Sequence, residues 1–160
     1  MAGLKVQITG GDKIASNVAY LKRNFPEWLS AAVLETAYEV RDGAQANVKK
    51  EDAYDTGALY DSIGVSISPK GLSVAVGSTS KYAPFVEFGT RPHFPPLDPI
   101  RKWCASRGLP ESAAFPIAKK ISERGTPARP FLYPAFKVAA RNHVRRIRQY
   151  VKDGLNGLLT

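Results

Sequence analysis

The sequence is poor in the residues that build metal centres and disulfides. It has one cysteine, Cys104, and two histidines, His93 and His143, among 160 residues. One cysteine cannot form an internal disulfide, and these three residues share no metal-ligand spacing. We interpret Cys104, beside Trp103, as a small core residue rather than a nucleophile, in a protein suited to a reducing cytosol. We therefore expect no metal and no cofactor.

Long apolar runs and phosphate-binding loops are also missing. No stretch approaches the roughly 18 consecutive apolar residues of a membrane-spanning helix, and Gly10 and Gly11 interrupt the apolar N-terminal residues. No glycine-rich loop of the Walker or dinucleotide type occurs. We expect a protein that is made and kept soluble, with no membrane partner.

A cluster of acidic residues is the one feature that could suggest hydrolysis or cation binding. Glu51, Asp52, Asp55 and Asp61 lie close together in the sequence. Helix capping by Asp55 and solvation of the other carboxylates explain the cluster without a reaction. The sequence therefore predicts no enzyme, and hydrolysis at this cluster stays the weakest of three hypotheses.

What is present is positive charge and enough apolar residues for one core. Lysine and arginine number 23 against 14 acidic residues, giving a net charge of +9, and 44 % of residues are hydrophobic. The length suits one domain over residues 1–160. The charge indicates an acidic partner, either nucleic acid or an acidic protein surface.

Periodicity predicts several elements. Residues 4–8 alternate apolar and polar, which is typical of a short strand. Helical spacing then runs up to Pro26, and a second, stronger pattern from Leu29 to Val48 predicts an amphipathic helix of about six turns. Two period-two runs on either side of Pro69-Lys70-Gly71 predict a β-hairpin with one buried face.

A short aromatic helix should follow the hairpin. Tyr82, Phe85 and Phe88 recur every three residues, and Gly89 is the natural end of the helix. We expect these aromatic rings to pack on the hairpin. In the alternative, Glu87 and the following Arg91 stay at the surface as charged partners for an adjacent subunit.

Residues 91–128 differ in composition and are interpreted as an inserted segment. They hold seven of the twelve prolines. Within them, Asp98-Pro99 should begin one helix that stops at Gly108, and a second helix should cover residues 117–123, since Pro116 can open a helix but not sit within it. Phe131 and Phe136, beyond the insertion, are expected to be core anchors.

The last predicted helix, over residues 134–152, carries a basic stripe. Between residues 137 and 152 there are six positive charges and no acid. Arg141, Arg145, Arg148 and Lys152 are spaced four, three and four apart and so line one face. Because such a face repels itself, we favour an acidic counterpart over plain solvation.

Three motifs stand in order along the chain. They are Asp55-Thr56-Gly57-Ala58-Leu59, Tyr82-Ala83-Pro84-Phe85-Val86-Glu87-Phe88-Gly89-Thr90, and Arg129-Pro130-Phe131-Leu132-Tyr133-Pro134-Ala135-Phe136. In this order they resemble the tail-completion or neck proteins of tailed bacteriophages, over roughly residues 25 to 140. The sequence departs from the compact family pattern by the long insertion between the second and third motifs. We interpret the following residues as family-motif or subunit-contact positions: Asp55, Thr56, Gly57, Tyr82, Phe85, Glu87, Phe88, Gly89, Thr90, Arg91, Arg129, Pro130 and Phe131.

The resemblance implies a small α+β subunit without enzymatic activity at the junction of capsid and tail. We expect a long helix and a C-terminal helix packed on a small antiparallel sheet, with a helical, proline-rich insertion at about residues 91–128. The implied partners are copies of the protein in a ring around the DNA passage, and neighbouring connector, tail-terminator or tail-tube proteins. The basic stripe would face duplex DNA or an acidic protein. The place would be the neck of the virion, after assembly in the host cytoplasm. The rival hypothesis is a stand-alone basic nucleic-acid-binding domain.

Overall fold

The computed structural model describes residues 11–51, 57–68 and 73–157. The predicted strand at residues 4–8, the hairpin turn at residues 69–71, Asp55 and Thr56 lie outside these ranges. The elements are α1 (Gly11–Lys50), α2 (Ala58–Asp61), β1 (Ile63–Ile67), β2 (Val74–Ser78), α3 (Ala83–Phe88), α4 (Leu97–Ser106), a 3₁₀ turn (Glu111–Ala113), α5 (Ala114–Arg124) and α6 (Leu132–Asn156). A long helix with a small antiparallel sheet confirms the predicted α+β class.

Helix α1 is one continuous helix of 40 residues with Pro26 inside it. The expectation of two helical segments meeting at Pro26 is therefore wrong. A proline removes one backbone hydrogen bond and costs about 3 kcal/mol in a helix interior, yet α1 continues through Pro26. Tyr20 and Trp28, which flank Pro26, have ring centroids 6.1 Å apart.

Helices α1 and α6 pack antiparallel through small residues. Ala32, Ala44 and Ala139 are fully buried. A Cβ added to Gly43 would lie 3.1 Å from Ala135 Cβ, and one added to Gly154 would collide with the Trp28 ring. The small side chains let the two backbones approach closely around Gly43, and Gly154 leaves room for the Trp28 ring.

The first two turns of α1 extend beyond this helix pair. Near the end of α6, Gly157 lies opposite Tyr20 of α1. Upstream of Tyr20, Ile14 and Val18 are 67 % and 53 % exposed. The N-terminal end of α1 therefore projects from the body of the protein.

The predicted hairpin is present, and its base is anchored on α1. Strands β1 and β2 pair antiparallel, with Ile63 opposite Ser78. Ile63 packs in one core cluster with Ala44, Val48 and Phe131. Burial decreases toward the tip, where Ile67 is 51 % exposed. On β1 the fully buried position is thus confined to the base of the hairpin, whereas β2 keeps alternate residues half-buried along its length.

The insertion forms a small helical unit with its own core. Helices α4 and α5 bury Ile100, Cys104, Ala114 and Ala118 together. Cys104 is fully buried, which confirms its interpretation as a core residue. Helix α5 begins two residues before Pro116, so the prediction that this proline could only open the helix is wrong. Proline is tolerated in a first turn because the N–H it lacks has no partner there.

Candidate subunit-contact surface

Glu87 is the central residue of the second motif, and it is buried rather than at the surface. Its side chain is only 8 % exposed. Its two carboxylate oxygens accept backbone N–H groups from Phe131 at 2.8 Å, Leu132 at 2.9 Å and Tyr133 at 2.9 Å. The alternative in which Glu87 stays at the surface as a charged partner for an adjacent subunit is therefore wrong.

These three N–H groups open helix α6. The first four N–H groups of a helix lack intrahelical partners, and a negative charge there is favoured by the helix dipole. The fourth position is Pro134, which has no N–H to satisfy. One carboxylate and one proline together leave no unpaired donor at the start of α6. The second and third motifs, separated by the insertion, are thus joined by Glu87.

The aromatic residues of α3 lie on the outside of the protein. Tyr82, Phe85 and Phe88 are 46 %, 59 % and 78 % exposed. The expectation that they pack on the hairpin is wrong for a geometric reason. Helix α3 turns Ala83 and Glu87, one turn apart, toward the interior, so positions three apart on the other side face solvent.

Of the two phenylalanines predicted as core anchors, one is buried and one is not. Phe131 is 2 % exposed and its carbonyl accepts a hydrogen bond from Asn47 at 2.9 Å. Phe136 is 56 % exposed, so its interpretation as a core residue is wrong. The buried face of α6 is formed by Ala135 and Ala139, and Phe136 lies beside that face rather than on it.

Two of these exposed aromatic side chains border one groove. The groove lies between α1, β2, α3 and α6, has a volume of about 750 Å³, and includes Phe88, Tyr133 and Phe136 in its lining. Tyr133 is itself 60 % exposed. We call this the α3–α6 groove. It is a concave apolar surface, the usual character of a site that another molecule covers.

A second groove separates α3 from the insertion. Its volume is about 1000 Å³, and its lining includes Tyr82, Phe85, Arg91, Trp103 and Arg129. Arg91 is exposed, as expected. We call this the insertion groove. The two grooves leave α3 as an aromatic ridge between them.

A close joint holds the insertion to α3. Thr90 donates its backbone N–H to Thr126 at 3.1 Å, and the two hydroxyls lie 3.0 Å apart. Gly89 has φ of 73° and Gly125 has φ of 70°, and a Cβ at either would run into the facing backbone. Gly89 and Thr90 therefore position the insertion. Gly57, in the first motif, also has a left-handed backbone, with φ of 82°.

All four residues of the predicted basic stripe are exposed. Arg141, Arg145, Arg148 and Lys152 lie on the outer side of α6. Only Arg145 has a hydrogen bond within the described ranges, a long one of 3.4 Å to Asn142. The stripe is therefore present as a surface feature, and its partner stays a prediction.

Arg146 does not share in this surface. It lies against α1, where its guanidinium contacts Glu39 at 2.7 Å and Glu35 at 3.0 Å. The hydrogen bond from Arg146, and then that from Asn142, hold the pKa of Glu39 below its ordinary value. The bond to Glu39 likewise raises the pKa of Arg146. One of the six positive charges counted on this helix is thus neutralised within the protein.

A tyrosine extends the same cluster. The Tyr150 hydroxyl donates to Glu35 at 3.1 Å. Burial, together with this bond, raises the pKa of the Tyr150 hydroxyl. The cluster ties α6 to α1 by polar contacts between the small residues Ala139 and Gly154 of α6.

Sequence reasoning missed the roles of Glu87 and Arg146. The signal for Glu87 was its position one turn after Ala83 in a short helix, because residues one turn apart share a face and this face is buried. The signal for Arg146 was a pair of acids one turn apart on α1, Glu35 and Glu39. Both roles depend on contacts between elements far apart in the chain.

The part of the chain that the structure describes contains neither a candidate metal site nor a candidate membrane-spanning helix. Across residues 11–51, 57–68 and 73–157, no group of three or more potential ligands could hold a metal ion. None of the helices in these ranges is both long and apolar enough to span a bilayer.

The geometry defines a small α+β protein with two apolar grooves open at its surface. Residues 12–89 match the family described as HK97-gp10-like, "Bacteriophage HK97-gp10, putative tail-component". Over this span the chain fits a family of structural phage tail components. Such components are part of the virion, and the family is not a known class of enzyme. The predicted resemblance to a phage tail or neck family is confirmed. The match runs from the start of α1 to Gly89 and ends before the insertion. No curated protein and no solved structure matches the chain significantly.

Proposed function

We propose that this protein is an oligomeric subunit of the head–tail junction, where several copies surround the DNA passage and join capsid to tail. It acts by shape and contact, without turnover of a substrate. The family match supports a structural role in the tail. The finer assignment to the neck is our inference.

The observation that carries the proposal is the α3–α6 groove. Phe88, Tyr133 and Phe136 are each more than half exposed around a concavity of about 750 Å³. Single exposed apolar residues are ordinary, but a contiguous apolar patch marks a surface that another protein covers. Closed rings of identical subunits supply such cover for every copy.

A matched pair of variants on α6 tests this role. Phe136 and Val144 are 56 % and 54 % exposed, but only Phe136 borders the groove. We expect Phe136→Asp to abolish incorporation into particles and to reduce the oligomer mass measured by light scattering. Val144→Asp should have little effect on either. Equal incorporation of both variants would contradict the proposal.

The location in the virion needs a separate measurement. Electron microscopy of particles carrying a tagged copy should show added density where capsid meets tail. Density along the tail tube or at its distal end would reject the neck assignment while leaving a tail role intact.

The basic stripe keeps a second candidate function open, that of a stand-alone nucleic-acid-binding domain. Four exposed cations on one face of α6 could contact phosphates without reading bases. This candidate predicts that the isolated monomer binds duplex DNA, with affinity falling steeply between two salt concentrations. The neck proposal expects duplex binding only after assembly, so a filter-binding titration separates the two.

A further inference from the structure

The two-stranded sheet has a free edge beside the α3–α6 groove. Thr79 donates its backbone N–H to Ser62, and Ser68 donates to Ser73. In an antiparallel pair such bonds alternate, so the backbone N–H and C=O groups of Val74, Val76 and Ser78 point away from β1. Among the described residues no third strand takes these groups.

The side chains of the same three residues line the groove. Val74, Val76 and Ser78 are half-buried on one face of β2, and all three border the α3–α6 groove. The hydroxyl of Ser80, in the same lining, is buried and has no partner within the described ranges. A strand added at this edge would gain backbone hydrogen bonds and an apolar surface together. Peptide strands that join a sheet edge use this combination.

We propose that residues Leu4–Ile8 of a neighbouring copy add to β2 as a third strand, with Leu4, Val6 and Ile8 in the α3–α6 groove. The segment alternates apolar and polar residues over one strand length. Lys5 and Gln7 then face water, on the side where Ala75 and Gly77 are exposed. This inference rests on the proposed assembly of several copies.

The length of α1 favours a donor from a neighbouring copy over pairing within one chain. The groove reaches α1 no closer to its start than Val33. At about 1.5 Å per residue, Gly11 lies roughly 33 Å from that level. The chain from Leu4 to Gly11 spans at most about 25 Å when fully extended. This span is shorter than the rise of α1 from Gly11 to the groove, which favours a neighbouring copy over the same chain as the donor.

A neighbouring copy resolves this mismatch. The start of α1, which directly follows this segment in the sequence, projects beyond the end of α6, with Ile14 and Val18 exposed. The donor segment and the acceptor edge are different surfaces of one subunit. Contacts of this head-to-tail kind generate a ring when the rotation closes.

Disulfide trapping between two distinguishable copies tests the contact. One full-length copy carries Val6→Cys and a second, tagged copy carries Val74→Cys, Val76→Cys or Ser78→Cys. We expect oxidation to give a mixed dimer with at least one acceptor variant, since facing Cβ atoms on adjacent strands lie about 4.5–5.5 Å apart. Lys5→Cys is the matched control and should not form a dimer with these variants, because its side chain faces the opposite side. Failure of every Val6→Cys pair, or equal trapping of Lys5→Cys, would overturn the proposal.

A deletion and a peptide separate this proposal from the proposed function. We expect a variant lacking residues 2–9 to lose oligomer mass and to bind a synthetic peptide of residues 1–11 saturably, with slowed amide exchange at Val74 and Val76. A Val6→Asp peptide should bind at least about tenfold more weakly.

If the deletion variant assembles and enters particles like the full chain, the strand contact is wrong and the neck role stands. If the peptide does not bind, or if Val76→Cys in particles is trapped by a different tail protein, the occupant is wrong. If the full-length chain does not enter particles, the neck role is wrong. The strand contact is then still decided by disulfide trapping and peptide binding.

Discussion

The carboxylate of Glu87 lies 2.8 Å from the backbone nitrogen of Phe131 and so connects α3 to the start of α6. The same side chain also accepts from the next two residues of α6. A fourth bond, from the Arg129 backbone N–H to the Val86 carbonyl at 2.8 Å, lies beside these three. The chain enters the insertion after α3 and returns from it just before α6, on either side of this junction. The contacts of the junction therefore join α3 to α6 independently of the insertion.

Replacing Glu87 should destabilise the protein strongly. Glu87→Ala leaves one buried and two part-buried backbone donors without their carboxylate partner, and we expect a loss of about 2–4 kcal/mol in the free energy of unfolding. Glu87→Gln keeps one acceptor oxygen and should lose about 1–2 kcal/mol. Urea unfolding measures both.

Glu123 supplies the control for these variants. It lies exposed near the end of α5, so Glu123→Ala should stay within about 0.5 kcal/mol of the parent. Similar losses for Glu87→Ala and Glu123→Ala would show that the buried carboxylate does not secure α6.

The joint between α3 and the insertion should depend on two glycines. A Cβ at Gly89 would lie 2.5 Å from the Thr126 carbonyl oxygen, and a Cβ at Gly125 would collide with the Thr90 carbonyl. We expect either alanine variant to lose at least about 3 kcal/mol in stability. Gly108→Ala is the matched control, because Gly108 has φ of 66° but open space around it. It should lose only about 1–2 kcal/mol, and an equal loss at all three positions would argue against a tight joint.

The Arg146 cluster should make stability depend on acid pH. The pKa of Glu39 is depressed in the folded protein by its bonds to Arg146 and Asn142. Its contribution is therefore complete above the unfolded value of about 4.3 and is lost as pH falls through the lower folded pKa. We expect the drop in melting temperature between pH 6 and pH 3 to be smaller in Glu39→Gln than in the parent.

A double-variant cycle checks the cause of this pH dependence. Arg146→Met should reduce the acid-side drop as Glu39→Gln does, and combining them should add little further. If the two effects were fully additive, the pair would not be the source of the pH dependence.

Helices and strands that depend on residues near each other in the sequence could be predicted. Side-chain orientations that depend on residues far along the chain could not. The long helix, the hairpin and the last helix follow from periodicity, and Gly89 ends α3 as expected. The outward direction of Phe85 and Phe88 could not be read locally. It is set by Glu87, whose donors lie 44 to 46 residues away in the chain.

The same reasoning explains the error at Phe136. A helix with alanine and phenylalanine on adjacent faces can bury either, and size alone favours the phenylalanine. Here α6 packs closely on α1, and the close approach of Gly43 to Ala135 leaves room only for small residues at this end of α6. The larger ring is therefore left beside the interface, in the groove.

The basic stripe should be required for joining rather than for folding. We expect the triple reversal Arg141→Glu, Arg145→Glu and Arg148→Glu to leave the helical circular dichroism and melting temperature near the parent values, because all three side chains are exposed. The yield of infectious particles should fall. If the partner is duplex DNA, the salt dependence of binding by the assembled protein should lose about two to three phosphate contacts.

A reversal of equal size elsewhere distinguishes the stripe from net charge. Lys102, Lys119 and Lys120 are exposed on the insertion, and changing all three to glutamate alters the total charge by the same amount. This control should keep most of the particle yield. Equal yields from the two triple variants would mean that overall charge, and not the face of α6, determines joining. An unaltered yield from the stripe variant would remove the basis for placing this face toward DNA or an acidic neighbour.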